Sequence, residues 1–151
     1  METRPGKLVE IIWKMLKIES KVGKIPVSDK TIYNFLSDFN NFENLLTEDK
    51  VRDYTSTEDS CSFTVDGIGK IGMKIIEKEP YKLIKVTGDE TSSFKFLFWI
   101  QLKSMEEHYT RIKLTLHADI NPMLQMVAKN PLQKFINLLI DELESYFQTK
   151  Q

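Results

Sequence analysis

The chain has 151 residues, of which 41% are hydrophobic and 28% are charged, values typical of one globular domain with a sizeable core. Its formal net charge of -1, with both signs interspersed, argues against the clustered basic surface that nucleic-acid binding requires. A single cysteine excludes an intramolecular disulfide and predicts a reducing, cytoplasmic compartment. No apolar run reaches the length that an integral membrane helix needs.

Residues 1–15 are predicted to form an N-terminal extension, and residues 16–151 a single domain. Met15 is one candidate for the natural start of the chain. Apolar residues upstream of it could share one face of a short helix, namely Leu8, Ile11 and Ile12.

The domain is predicted to open with a strand and two short helices. The apolar positions change phase at Gly23, which predicts a bulge within the first strand. Ser28 is predicted to cap a short helix whose apolar positions recur at helical spacing. A second short helix is predicted around Phe42 and Leu45, after the corner formed by Asn40 and Asn41.

From residue 51 onward the apolar period changes to two, which predicts six strands. Four are short, and the last two, around 94–102 and 112–118, are longer. Because turn residues separate neighbouring strands, hairpins can join them into an antiparallel, curved sheet. The glycine-rich segment 67–72 precedes a strand rather than a helix, so it predicts a tight hairpin and not a phosphate-binding loop.

A long C-terminal helix is predicted to lie across the concave face of this sheet. Asn121-Pro122 and Asn130-Pro131 each have the pattern of a helix start. Because Pro131 cannot donate to the carbonyl of Val127, the helix is expected to break or kink near 128–131. The short piece before the break would be either a lid at a cavity mouth or part of a rigid kink.

The segment from Lys24 to Leu46 reads KIPVSDKTIYNFLSDFNNFENLL and resembles the opening of the START-like, or SRPBCC, superfamily, which includes polyketide cyclases. The strand FKFLFWIQL and the helix start NPMLQMVAKNPLQKF are similar to those of short bacterial members. The resemblance covers about residues 16–148. It implies an α+β helix-grip fold with a seven-stranded antiparallel sheet and a hydrophobic ligand cavity between sheet and long helix. It implies no reaction, because this fold hosts carriers, receptors and a few enzymes.

The inward-facing aromatic residues either fill the core or line a cavity for an apolar ligand. Phe94, Phe96 and Phe98 share one strand face and are predicted to oppose the helix. Tyr54 and Tyr146 are the candidate hydroxyl anchors. The predicted cavity-lining set is Tyr54, Phe63, Met73, Phe94, Phe96, Phe98, Leu114, Val127, Pro131, Phe135 and Leu139.

No catalytic residue, metal site or cofactor is predicted. His108 lies in a polar turn, and His117 is out of phase with Leu116, so it should face away from the cavity. No cluster has the spacing of metal ligands. Cys61 is in phase with Phe63, which favours a buried structural thiol over a nucleophile.

These observations favour a non-enzymatic carrier or sensor that binds a hydrophobic or amphipathic small molecule, or a lipid. One alternative is a cyclase-type enzyme acting on a hydrophobic chain. A third is a protein-interaction domain with a filled core, which a small or absent cavity would favour. Its contacts would use the outward face at Leu97 and Trp99, and a homodimer through that face is compatible with the sequence.

Overall fold

The computed structural model describes residues 15–46, 50–105 and 108–149. The helix expected around Leu8, Ile11 and Ile12 lies outside these ranges. In chain order the elements are β1 (Leu16–Glu19), β2 (Gly23–Ile25), α1 (Asp29–Leu36), a 3₁₀ helix (Phe42–Leu45), β3 (Val51–Ser56), β4 (Ser60–Val65), β5 (Gly69–Glu79), β6 (Leu83–Gly88), β7 (Lys95–Met105), β8 (Tyr109–Asp119) and α2 (Pro122–Thr149).

All the strands join one antiparallel sheet in the order β1-β8-β7-β6-β5-β4-β3, and β2 also pairs with β8. Successive strands from β3 to β8 are hairpin neighbours, as the alternating pattern predicted. Helix α2 packs its buried face against the inner face of the sheet. The predicted α+β helix-grip fold is therefore confirmed, with eight strands in place of seven because the first predicted strand is two short ones.

Backbone groups at the interruption between β1 and β2 form hydrogen bonds with polar partners. Ser20 donates its backbone N–H to the Leu114 carbonyl and accepts the Leu114 N–H on its hydroxyl, each at 2.8 Å. The Lys21 N–H donates to Asn137 Oδ1 at 2.9 Å, and the Lys24 N–H donates to Glu144 Oε2 at 2.9 Å. Since buried backbone groups need partners, these bonds allow the strand to change course. They also attach it to α2.

Gly23 lies where the start of β2 passes between the sheet and the long helix. A Cβ at this position would be 2.8 Å from Ile112 Cγ2 and 2.8 Å from Ile140 Cγ2. Both distances are shorter than carbon atoms tolerate without displacement. The absence of a side chain at Gly23 therefore sets how closely α2 approaches β8.

The predicted cap of α1 is present. Ser28 Oγ accepts the Thr31 N–H at 3.2 Å, and the helix buries Ile32, Tyr33 and Leu36. The second predicted short helix is a single 3₁₀ turn that buries Phe42 and Leu45. Both elements cover one end of the inner face of the sheet, beside the C-terminal half of α2.

The predicted break at Pro131 is wrong, whereas the alternative of a kink there stays a prediction. Helix α2 runs without interruption from Pro122 to Thr149, with Pro131 inside it. Asn121 caps its start, because Asn121 Oδ1 accepts the Leu124 N–H at 2.9 Å. Pro131 removes one intrahelical bond to Val127. Val127 is 69% exposed, and the helix continues without that bond.

The glycine-rich segment forms the β4–β5 hairpin, as predicted. Gly67 and Gly69 adopt φ values of 83° and 111°, a region that residues with a Cβ rarely enter. Between them, Ile68 donates its N–H to the Val65 carbonyl at 3.1 Å. This turn holds the half-buried Ile68 side chain beside α2, which places it at the candidate site.

Candidate functional site

An apolar cavity lies between the inner face of the sheet and α2. The space open to the centre of a water-sized sphere is about 40 Å³, and every lining residue is apolar. Such a small apolar space is expected to stay dry, because a buried water needs polar partners. The residues that line it come from β4, the β4–β5 turn, β5, β7, β8, the 3₁₀ helix and α2.

The structure brings seven of the eleven predicted residues to this cavity. Four lie on strands whose inward phase the sequence pattern showed, one directly precedes β7, and two belong to α2. Leu114 instead lines a smaller void next to the cavity. The seven are Phe63, Met73, Phe94, Phe96, Phe98, Phe135 and Leu139.

The remaining three predicted residues lie elsewhere. Tyr54 stacks on Phe63 with ring centroids 5.8 Å apart, but its hydroxyl donates to the Phe39 carbonyl at 2.5 Å. Val127 is exposed, and Pro131 lines an outer groove. The hydroxyl of Tyr54 is therefore occupied by the protein's own backbone.

Tyr146, the other candidate anchor, packs on Phe35 with ring centroids 4.7 Å apart and on Phe147 at 5.1 Å. It does not line the cavity.

Six further residues line the cavity that the predicted set omitted. Two of them carried a usable signal: Ile71 is two residues from Met73 on one strand, and Leu116 is two residues from Leu114 on another. Two others belong to the apolar stripe of α2. The six are Phe42, Ile68, Ile71, Leu116, Leu132 and Ile136.

Side chains divide the interior space into two parts. The smaller void has about 10 Å³ open to a water-sized sphere, and Leu114 is one of its lining residues. Phe42, Phe98 and Leu139 line both the cavity and this void. These three residues therefore lie between the two spaces.

An outer groove lies on the other side of the cavity wall. It encloses about 550 Å³ between α2 and the β4–β5 turn, and it includes Lys50, Asp66 and Lys134. Ile68 and Phe135 line both the groove and the cavity. Both side chains are half-buried. They form the partition between the interior and solvent.

The cavity walls carry no titratable group in the part of the chain that the structure describes. His117 lies on the outer face of the sheet, with its ring 4.7 Å from that of Trp99. Burial and the nearby Lys17 ammonium lower the pKa of His117. Within residues 15–46, 50–105 and 108–149, no three His, Cys, Asp or Glu side chains are grouped so that they could hold a metal ion.

Cys61 is a buried free thiol on β4, as its phase predicted. Burial raises the pKa of the thiol to about 12 from an ordinary value of 9.0, the hydrogen bond with Tyr54 lowers it, and Asp89 raises it. Burial also raises the pKa of Tyr54, with the neighbouring Cys61 as the next cause. The folded state therefore favours the protonated thiol, which is a poor nucleophile.

This raised pKa predicts a loss of stability at alkaline pH. The stabilisation of the protonated thiol is complete below pH 9.0 and is lost as the pH rises from 9.0 towards about 12. Between pH 8 and pH 10 the wild type should lose about 1.4 kcal/mol more unfolding free energy than Cys61→Ala. Urea titrations at both pH values measure this difference. Equal losses in the two proteins would show that the thiol titrates normally in the folded state.

Solved structures with the same architecture include three that cover nearly all of this chain. A START superfamily protein from Mycobacterium smegmatis has a TM-score of 0.66 at 14% identity, over 91% of this chain and 99% of its own. A protein from Thermus thermophilus has a TM-score of 0.73 at 15% identity, over 90% of this chain and 99% of its own. Norcoclaurine synthase from Thalictrum flavum, in complex with dopamine and hydroxybenzaldehyde, has a TM-score of 0.69 at 12% identity, over 100% of this chain and 96% of its own.

Neither a protein-family model nor a curated protein sequence matches the chain. At these identities the structural likeness establishes the fold. The chain has the helix-grip fold, which it shares with the START superfamily protein and with norcoclaurine synthase. Within the described residues no helix is long and apolar enough to cross a membrane.

Proposed function

We propose that this protein binds a hydrophobic or amphipathic small molecule between the sheet and α2, as a carrier or sensor without catalytic activity. The observation that carries the proposal is the wholly apolar cavity at the position where the two layers of the fold meet. Removal of apolar ligand surface from water, at about 25 cal/mol per Å², would drive binding. The fold is typical of hydrophobic-ligand binding, which supports the same conclusion.

The small size of the cavity determines how a ligand would have to enter it. Pockets for drug-sized ligands measure roughly 300–1,000 Å³, whereas about 40 Å³ is open here. A ligand of that size therefore has to displace side chains. Leu139 and Phe98 can open the way to the smaller void, and Phe135 can open it to the groove. We expect binding to be slow, because the competent state must first be populated.

The composition of the cavity wall disfavours a cyclase-type enzyme. General acid or base catalysis needs a positioned titratable side chain within hydrogen-bond reach of the substrate. Tyr54 is directed to the Phe39 carbonyl and Cys61 is held protonated. The described cavity lining offers a shaped apolar space and no proton donor or acceptor on a side chain.

The small cavity also supports a second candidate, a protein-interaction domain with a filled core. Its predicted contact face is partly covered by the protein itself. Trp99 packs against the His117 ring, and Lys85 Nζ lies 5.7 Å from the centre of the Trp99 ring. Leu97 and Trp99 are both half-buried. The outward face at Leu97 and Trp99 is therefore less available for contact with another protein than the alternating pattern of the strand predicted.

Leu116→Phe tests the binding proposal because it fills the cavity, and Leu97→Phe is its matched control. The two leucines lie on neighbouring strands, one facing inward and the other outward. Mass spectrometry of an organic extract from natively purified protein should show a stoichiometric apolar compound in the wild type. The compound should persist in Leu97→Phe and be lost from Leu116→Phe.

A second readout covers a ligand that is lost during purification. The wild type and Leu97→Phe should bind the amphipathic probe anilinonaphthalene sulfonate saturably, and Leu116→Phe should bind it at least tenfold more weakly. Thermal melts establish that each variant is folded, since overpacking costs roughly 1–3 kcal/mol. An empty extract together with no saturable probe binding by the wild type would overturn the proposal and favour the filled-core domain.

A further inference from the structure

The first two turns of α2 present large apolar side chains to solvent. Met123 is 80% exposed, Met126 is 83% exposed and Val127 is 69% exposed, and Leu124 next to them is 52% exposed. No residue from 121 to 130 is buried. We call these four residues the apolar patch. Exposed apolar clusters on a helix mark contact sites for a protein or a membrane.

The apolar patch cannot be explained by packing in the core. The residues of α2 that face the sheet begin at Leu132 and continue through Ile136 and Leu139. Since successive residues of an α-helix are rotated by 100° about its axis, Met123 and Val127 point away from that buried face. Asn121 nevertheless caps the helix start with a hydrogen bond of 2.9 Å. This part of α2 is therefore a formed helix whose outer surface is apolar.

Along α2 itself, the charged residues near the apolar patch are positive. From residue 122 to residue 134 the helix carries Lys129 and Lys134 and no Asp or Glu. Both lysines are exposed, and Lys134 lies about two turns from Val127 on the same side of the helix. The C-terminal half of α2 has the opposite charge, with Asp141, Glu142 and Glu144. Apolar side chains beside lysines match a phospholipid surface, which offers acyl chains below phosphate groups.

The apolar patch leads to the groove along one helix. Val127 is followed at helical spacing by Pro131, Lys134 and Leu138, and these three line the groove. Phe135, in the same stretch, separates the groove from the interior cavity. A molecule leaving a membrane at the apolar patch would therefore meet the groove first and the cavity second.

We propose that the N-terminal half of α2 docks peripherally on a phospholipid bilayer, with Met123, Met126 and Val127 in the acyl region and Lys134 at lipid phosphates. Docking does not depend on the ligand proposal. If both hold, the bilayer is the source or destination of the apolar ligand.

Vesicle flotation of the full-length chain tests the proposal. The wild type should float with phosphatidylcholine vesicles and more strongly with vesicles that also contain phosphatidylglycerol. Met123→Asp combined with Met126→Asp should weaken partitioning by about a hundredfold on both. Lys134→Gln should weaken it about fivefold on the anionic vesicles only. Lys129→Gln should have a smaller effect, because Lys129 lies on the face of α2 that continues to the sheet. A wild type that stays unbound on both vesicles would overturn the proposal.

Val22→Asp combined with Ile76→Asp is the matched control. Both residues are exposed and apolar, at 58% and 48%, but lie away from the first turns of α2. This control should float as the wild type does, and so should Leu116→Phe, which separates docking from ligand binding. Equal weakening by both Asp pairs would overturn the docking site.

Two other occupants of the apolar patch remain as outcomes that would contradict membrane docking. The first is a second copy of the chain: vesicle-free dimers that Met126→Asp converts to monomers would show it. The second is the segment of residues 1–14, which joins the fold at Met15. If the full chain bound vesicles only when it carried Ile11→Asp, the native partner of the apolar patch would be that segment and not a bilayer.

Discussion

Replacement of Phe63 by alanine should cost roughly 3–5 kcal/mol of unfolding free energy, since large aromatic truncations in a core have this effect. Phe63 is 2% exposed and stacks between Tyr54 and Phe135, with ring centroids 5.8 and 6.2 Å away. Its removal enlarges the apolar cavity at a position where Tyr54 is fixed by its bond to Phe39 and cannot easily move in. Chemical and thermal denaturation measure the loss, which corresponds to a fall in Tm of about 6–20 °C.

Phe94→Ala is the matched control for this change. Phe94 also lines the cavity, but it is half-buried and precedes β7. Its truncation should cost less, about 1–2 kcal/mol, because water already reaches part of the ring. If the enlarged space in Phe63→Ala is functional, the variant should bind small aromatic molecules and regain stability with them. Equal losses in Phe63→Ala and Phe94→Ala would contradict the burial difference between the two rings.

Gly23→Val should destabilise the fold by about 3 kcal/mol, or about 6–12 °C in Tm. Even the first carbon of a side chain would lie 2.8 Å from methyl groups of Ile112 and Ile140. Valine adds two more carbons, so α2 would have to move away from β8 or β2 would have to leave the sheet. Thermal melts followed by circular dichroism provide the measurement.

Lys17→Val controls for the effect of a β-branched residue in the first strands. Lys17 is exposed on β1, where valine is favourable for an extended backbone. Its stability should stay within about 0.5 kcal/mol of the wild type. A Gly23→Val protein as stable as Lys17→Val would show that the close approach of α2 to β2 is not required.

Most of the fold could be predicted because local signals agreed with one another. Ser28 and Asn121 are caps, and each accepts the backbone N–H three residues ahead. The alternation from residue 51 onward predicted the strands, and the turn residues predicted their antiparallel order. Gly23 marked the change of phase, but the sequence did not show that Ser20 supplies a hydrogen bond that separates β1 from β2. That bond is long-range, and local periodicity contains no information about it.

Pro131 shows where local rules fail. Its sequence pattern matched the genuine helix start at Pro122, so the two prolines were interpreted alike. Only the structure shows that the helix continues through Pro131 and that Val127 is exposed. The same error placed Val127 and Pro131 in the cavity. Exposure of the first turns of α2 depends on where the sheet ends, which is a property of the whole fold.

The lining of the cavity was largely predictable, and its volume was not. Strand phase identifies which side chains point inward, but packing of those side chains decides whether a space remains. Leu139 and Phe98 lie at the wall between the two interior spaces. Small rotations there separate a nearly filled core from a continuous pocket. Sequence patterns do not fix such rotations.

The pairing of β1 with β8 also determines when the protein can fold on the ribosome. Leu16 pairs with Ala118, so about a hundred residues separate the two strands in sequence. At a synthesis rate of about 5–20 residues per second, β1 would wait roughly 5–20 seconds for β8, its neighbour in the described part of the sheet, to be made. Pairing of β1 is therefore expected to be a late step, which follows the translation of β8.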